Sequence, residues 1–238
     1  MKHILTAAAA SLILGAGAAH AITFSGDLDG DWVGSTGFNN ANGSLDDSGD
    51  YASWGNTGDT PSQMNILDGG FSHELMGGHN LYKLGEVEWT NESWTNFDPV
   101  FTLFADWTID IDSPVNASSG FTDWFDFEID TSNNGSSAPE DVAFAFTLNN
   151  LGLGLPIDLG DGYFLDGIVL TLEGAGSLVD FGDGTYDWTN PEQGVSSLVF
   201  NAEISGPAPV PLPAAAWMLM AGIGGLGAMK RRSKKKAA

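Results

Sequence analysis

From about residue 81 onward the chain alternates between apolar and polar positions with a period of two. In Phe101-Thr-Leu-Phe-Ala-Asp-Trp-Thr-Ile-Asp-Ile111 every odd position is apolar; Thr102, Asp106, Thr108 and Asp110 take the other face, with Phe104 the one exception. Successive strand side chains point to opposite faces, so this segment predicts a half-buried antiparallel strand. The same alternation runs through Trp124–Asp130, Val142–Leu148 and Leu198–Ile204, the last with its even positions inward. Tyr163–Leu172 is more continuously apolar and β-branched, which predicts a central strand. No helical periodicity of useful length occurs between Ile22 and Pro209. Strands separated by Gly, Asp and Asn turns, without a long internal repeat, predict an all-β body: a single antiparallel β-sandwich or jelly-roll-like domain.

Upstream, Ser25–Asp68 is dense in Gly, Asn, Asp and Ser, and its Gly-Asp, Asn-Gly and Asp-Gly pairs read as turns. Strands there are expected to be short. Trp32, Phe38, Tyr51 and Trp54 punctuate the stretch, and a solvated linker would not carry so many aromatics. They read as pegs that fix long loops to a core.

Both ends break the pattern. Lys2, the apolar run Ile4–Ala18 and the small-x-small triplet Ala19-His20-Ala21 have the order of a secretory signal, with Ala19 and Ala21 as the signal-peptidase recognition residues and Ile22 as the mature N-terminus. At the other end, residues 214–229 carry no charge and are followed by Lys230-Arg-Arg-Ser-Lys-Lys-Lys236. Sixteen residues in a helix reach about 24 Å against a hydrocarbon core of ~30 Å. Pro211-Leu212-Pro213 on one flank and Lys230, Arg231 and Arg232 on the other supply the difference, the basic side chains by snorkelling. By the positive-inside rule that basic stop stays cytoplasmic, so the body lies outside.

The order Val210-Pro211-Leu212-Pro213-Ala214, a short Gly-rich apolar helix with Trp217 near its start and a Lys/Arg tail resembles the PEP-CTERM class of sorting signals in its Val-Pro-Leu-Pro-Ala variant. Pro211-Leu212-Pro213 stands where the founding form has Pro-Glu-Pro. The resemblance implies an exported substrate of an exosortase-type membrane enzyme, inner-membrane-anchored through the tail before processing and then delivered to the cell surface or extracellular matrix. It divides the chain into a signal peptide (1–21), a body (22–206), a Pro-rich linker with the sorting motif (207–213), a transmembrane helix (214–229) and a basic tail (230–238). The body also resembles the choice-of-anchor K domain through Trp54-Gly55, Lys83-Leu-Gly-Glu-Val-Glu-Trp-Thr-Asn91, Phe127-Glu-Ile-Asp-Thr-Ser-Asn133 and Asp161-Gly-Tyr-Phe-Leu165. That module implies no activity of its own.

Charge narrows the functional classes. The whole chain carries a formal −23, yet all thirty-one acidic residues fall in the body with one basic residue, Lys83, so the body alone stands at −30. Nucleic acid and anionic membrane surfaces are not expected as partners of the body, because both would be repelled. A wet acidic surface, adaptation to saline surroundings and Ca²⁺ sites are the three readings of such a charge, in that order. The chain has no cysteine, which removes disulfides, thiol catalysis and thiolate metal sites together.

Candidate chemistry is sparse. His73-Glu74 and His79 do not make a zinc helix, because the second His lies at i+6 and Gly77-Gly78 intervene; a loop is expected. Asp27-Leu-Asp-Gly-Asp31 and Asp180-Phe-Gly-Asp-Gly184 lack the EF-hand order and read as Asp-Gly turns, leaving weak Ca²⁺ binding open. No cofactor is expected, and no residue is assigned a catalytic or metal-ligand role. Among Trp89, Trp94, Trp107, Trp124 and Trp188, Trp94 and Trp188 are the better candidates for stacking on an extracellular polysaccharide. Asn42, Asn91, Asn116 and Asn134 begin Asn-x-Ser sequons. The expectation is an exported surface or matrix protein that is not an enzyme, with a carbohydrate-binding module or glycan-processing enzyme and a calcium-dependent adhesin as alternatives.

Overall fold

The computed structural model describes residues 22–37, 43–45, 49–55, 60–92, 100–118, 123–130, 140–147, 153–182 and 185–208. Among them are fifteen strands and no helix. In chain order they are β1 (Thr23–Thr36), β2 (Gly43–Leu45), β3 (Tyr51–Trp54), β4 (Ser62–Leu67), β5 (Gly69–Glu74), β6 (His79–Thr90), β7 (Val100–Ser113) and β8 (Ala117–Ser118). There follow β9 (Asp123–Asp130), β10 (Glu140–Thr147), β11 (Ile157–Gly160), β12 (Tyr163–Gly174), β13 (Ser177–Asp180), β14 (Thr185–Pro191) and β15 (Val195–Ser205).

All pairings are antiparallel and form two curled sheets. The first runs β13-β14-β10-β9-β7-β1-β5, with β8 on β7; the second runs β11-β12-β15-β6-β4-β3-β2. The chain crosses repeatedly between them, and the last strand, β15, lies inside the second sheet between β12 and β6.

Apolar side chains from both sheets share one core. Trp107 of β7 meets Phe200 of β15 at 4.6 Å, Phe101 of β7 meets Trp54 of β3 at 5.2 Å, and Trp188 of β14 meets Trp89 of β6 edge-on at 5.1 Å. Each such pair joins one sheet to the other. Complete burial of an aromatic or large aliphatic side chain contributes about 1.5–3 kcal/mol, so these contacts are a principal cohesive force in a body without disulfides. The alternation read in β7 holds, with Phe101, Leu103, Ala105, Trp107, Ile109 and Ile111 all buried. In β15 Leu198, Phe200, Ala202 and Ile204 point inward as expected.

Two expectations about strands fail, the first in part. In the Gly- and Asp-rich stretch β2, β3 and β4 are short as expected, with 3, 4 and 6 residues, but β1 runs for 14 residues. Its inward positions are Phe24, Gly26, Leu28, Gly30 and Trp32, so a glycine stands at every second one. The reason lies on the neighbouring strands of the same sheet, where register sets Gly30 opposite Trp107 and Gly26 opposite Phe71. An ideal Cβ on Gly30 would come within 2.5 Å of the Trp107 ring, and one on Gly26 would meet the Asp110 backbone carbonyl first and the Phe71 ring at 2.9 Å. Glycine here makes room for large rings and does not mark a turn. Asp27-Leu-Asp-Gly-Asp31 is therefore mid-strand, with its three carboxylates on the outer face.

The second concerns β12, which is not central. Its outer neighbour β11 pairs only with Tyr163–Leu165, so most of β12 is held on one side by β15 alone.

Asp180-Phe-Gly does turn as expected: the Gly182 N–H donates to Asp180 Oδ1 (2.7 Å). His73 and Glu74 instead lie in β5, and His79 opens β6, flanking a short connection at 75–78. The chain separates into two compact units, Met1–Gly206 and Pro207–Ala238; of the second, Pro207 and Ala208 are described.

Candidate functional site

The outer face of the first sheet carries the most concentrated chemistry. Register sets Asp27 opposite Asp110, Asp29 opposite Thr108 and Asp31 opposite Asp106 across β1 and β7. Side chains directly opposite in an antiparallel pair have Cβ atoms about 5 Å apart, and like charges placed so repel. Beyond Leu28, β1 outruns the β5 ladder, and Asp68 takes over: the Gly30 N–H donates to Asp68 Oδ2 (2.7 Å). Further along, the Trp32 N–H at a bulge in β1 donates to the Gly49 carbonyl (2.5 Å). These segments surround a shallow cleft of about 210 Å³ lined by Asp29, Asp31, Asp106 and Thr108.

Electrostatics in the cleft are unfavourable. Burial pushes the Asp31 carboxyl above its ordinary value of 3.8, and the charges of Asp29, Asp50 and Asp68 push it the same way. Burial also raises Asp106, with Asp31 adding to it. One Asp106 oxygen, Oδ1, is buried with no hydrogen-bond partner among the described residues. No group of three or more His, Asp or Glu among the described residues is arranged to hold a metal ion.

A carboxyl whose folded pKa is raised binds more protons in the folded state than in the unfolded one between the two values. Its stabilising effect is complete below 3.8 and is lost as pH rises through the folded value. Acidifying from neutrality toward pH 4 is therefore expected to raise the contribution of Asp31 and Asp106 to stability. Asp106→Asn should increase Tm at pH 7 and flatten the pH response. Added salt should raise the parent's Tm by screening. Thermal unfolding across pH and ionic strength measures both, and a parent whose Tm ignores salt would overturn the electrostatic account.

The sequence-selected residues distribute as follows. Trp188, expected as an exposed stacking surface, is fully buried, and its Nε1–H donates to Ser196 Oγ (3.0 Å). It was mistaken because Thr185–Asn190 is polar at most positions, although Trp188 and Asn190 are the inward pair. Trp89 and Trp107 are also fully buried; Trp94 and the side chain of Trp124 lie outside the described residues. Asn91 is no glycan acceptor in the folded chain, because it is completely buried. Its side chain donates to the Asn190 carbonyl (2.8 Å), and the Asn190 side chain donates to the Trp89 carbonyl (2.8 Å). Those bonds tie the end of β6 to the end of β14 and satisfy the buried side-chain N–H groups, while Asn190 Oδ1 is buried without a hydrogen-bond partner among the described residues.

His73 Nε2–H donates to the Lys83 carbonyl (2.6 Å), while His79 Nε2 lies 3.0 Å from Glu203. The two histidines thus serve separate local contacts. Ala19, Ala21, Val210, Pro211, Leu212, Pro213, Lys230, Arg231 and Arg232 lie outside the described residues. Among the described residues no helix is long and apolar enough to cross a membrane.

No protein-family model matches the chain, and no curated protein matches it.

Proposed function

We propose that this is an exported protein of the cell surface or extracellular matrix, processed at its C-terminus by an exosortase-type membrane enzyme, with a jelly-roll-like sandwich body that performs no catalysis. The observation that carries the reading is the three-part tail: Val210-Pro211-Leu212-Pro213, an uncharged 214–229 and a basic stop beginning Lys230-Arg231-Arg232, following a body that holds every acidic residue of the chain. A permanent anchor would not need that combination. An acidic, disulfide-free body with most of its described aromatics turned inward suits a structural element in a hydrated matrix, where counterions screen its repulsion.

A second reading has one specific observation behind it: the cleft brings two carboxyls with raised pKa values, Asp31 and Asp106, together on adjacent strands. Paired carboxyls of that kind are the machinery of glycoside hydrolysis. The surroundings favour the structural role. Ligand sites usually enclose roughly 300–1,000 Å³ with apolar or aromatic walls; this cleft of about 210 Å³ has none among its four lining residues.

Mass spectrometry of the envelope and released fractions tests the main reading. Mature protein should begin at Ile22, and the released form should lack 230–238. Retained Met1 on the surface-delivered protein would refute export by a cleaved signal, and an intact basic tail on all released protein would refute processing. Loss of an envelope-glycan hydrolase activity in Asp106→Asn would establish the second reading instead.

A further inference from the structure

Most edges of the two sheets are blunted. β2 has 3 residues and β13 has 4, too short to offer a long ladder, while β5 has 6 but opens on Gly69-Gly70 and closes on Glu74. Short strands and charges are ordinary means by which a sheet edge is kept from pairing with another chain. β12 is different. β11 covers it only at Tyr163–Leu165, and beyond that point no ladder runs along its outer side among the described residues. The open length, Gly167–Leu172, reads Gly-Ile-Val-Leu-Thr-Leu: it has no charge, no proline and three β-branched side chains. No bulge interrupts its ladder with β15 from Gly167 to Gly174. A straight, neutral segment on a sheet edge is the template that strand addition uses.

The ends of the open length select its occupant. Asp166 and Glu173 bracket it, with Gly167 and Gly174 beside them. A second β12 running antiparallel about a two-fold axis through Leu170 sets Asp166 opposite Gly174 and Glu173 opposite Gly167, so no carboxylate faces another. The same register puts Ile168 opposite Leu172 and Val169 opposite Thr171. Ile168 and Leu170 are buried in the core and Leu172 packs against it, whereas Val169 and Thr171 lie half-buried on the outer face. Each face therefore meets its own kind. An axis between Val169 and Leu170 fails on both counts: it brings Asp166 against Glu173 and turns core-facing residues of one copy to the outer face of the other. Gly174 has φ +91°, so the second strand turns away where β11 begins.

We propose that β12 is a self-association edge: two copies of the protein join β12 to β12 antiparallel about Leu170, and their second sheets become one continuous sheet across the two-fold axis. The contact is closed, because each copy uses the same strand and the pair leaves no second edge of that kind. Each body carries a formal −30, so long-range repulsion opposes the approach of two copies. The screening length falls from about 8 Å at physiological salt to about 3 Å at 1 M. Pairing through a neutral edge thus strengthens as ionic strength rises, the opposite of a contact made by salt bridges.

Sedimentation of the mature full chain, 22–238, in a non-ionic detergent tests the association. The parent should move from monomer toward dimer as NaCl is raised from about 0.05 M to about 1 M. A parent that stays monomeric throughout overturns the proposal. Disulfide trapping then locates the contact, and the chain has no cysteine of its own to interfere. Residues directly opposite in an antiparallel pair have Cα atoms about 4.5–5.5 Å apart, within the reach of a disulfide. Under mild oxidation a mixture of Val169→Cys and Thr171→Cys proteins should form linked dimer on the order of tenfold faster than Val33→Cys, an exposed site on β1 of the other sheet. A dimeric parent whose 169 and 171 positions cross-link no faster than position 33 joins elsewhere, which overturns the edge. Hydrogen exchange on the unsubstituted parent asks the same without a mutation: amides in 167–173 should exchange more slowly in the dimer than in the monomer, and equal exchange there also overturns it.

Discussion

Gly30→Ala is expected to lower the melting temperature by roughly 10 °C. The added Cβ would lie 2.5 Å from the Trp107 ring, far inside van der Waals contact, and Trp107 is fully buried against Phe200 with no open side to move into. Overpacking of a dense core costs about 1–3 kcal/mol and more where the backbone cannot shift. Here β1 is held by the β7 ladder on one side and by the Gly30 N–H to Asp68 Oδ2 bond on the other. For a domain of this size each kcal/mol displaces Tm by about 2–4 °C. The decisive measurement is a double-mutant cycle. Trp107→Leu alone should destabilise by leaving a cavity, yet Gly30→Ala added to it should cost far less than in the parent. Additive effects would mean that the glycine is required for some reason other than the ring above it.

Replacing Pro211 and Pro213 together with Ala is expected to leave membrane insertion intact and to abolish release from the membrane. Proline cannot donate a backbone hydrogen bond, and it keeps the residue before it out of the helical region. On the proposed reading, that preference would keep Val210 and Leu212 extended, stop an apolar helix from propagating upstream and leave a stretch that a processing enzyme can grip. Alanine is the best helix former, so the double variant would extend the helix through the motif. Hydropathy remains sufficient for insertion. Immunoblotting of membrane and released fractions should show full-length protein accumulating in the membrane. Release of the variant in the same processed form as the parent would make the tail an ordinary anchor. Replacing Lys230, Arg231 and Arg232 should instead disturb orientation or retention.

Much of the β architecture is legible in the sequence, and the exceptions have physical causes. β7 announces itself because six inward positions are all apolar, so the period of two survives intact. In β1 the same period is hidden: with Gly26 and Gly30 at alternate inward positions, the apolar signal of Phe24, Leu28 and Trp32 returns only every fourth residue. The clue was the strict run of Asp27, Asp29 and Asp31 on the opposite face. Trp188 and Asn190 illustrate a second failure, in which a buried polar residue disguises an inward face. Asn190 is tolerated because its side chain donates to the carbonyls of Trp89 and Gly194. The cleft could not be read at all. Asp31 and Asp106 are 75 positions apart in the chain, and only the register between β1 and β7 brings them together.

The position of β15 also sets an order of events. A chain delivered across a membrane from its N-terminus presents β6 and β12 well before Val195–Ser205, yet β15 must fill the gap between those two strands. Until it arrives, each exposes an unpaired edge, Trp107 lacks its ring partner Phe200, and the Trp188 Nε1–H lacks its acceptor Ser196, because both belong to the missing strand. Non-local pairing of this kind is slow and cannot begin early. Only one residue, Gly206, lies between the end of β15 and the start of the linker. A chain ending before Val195 would present an open, protease-sensitive second sheet. The topology makes completion of the fold depend on the chain being present through Ser205.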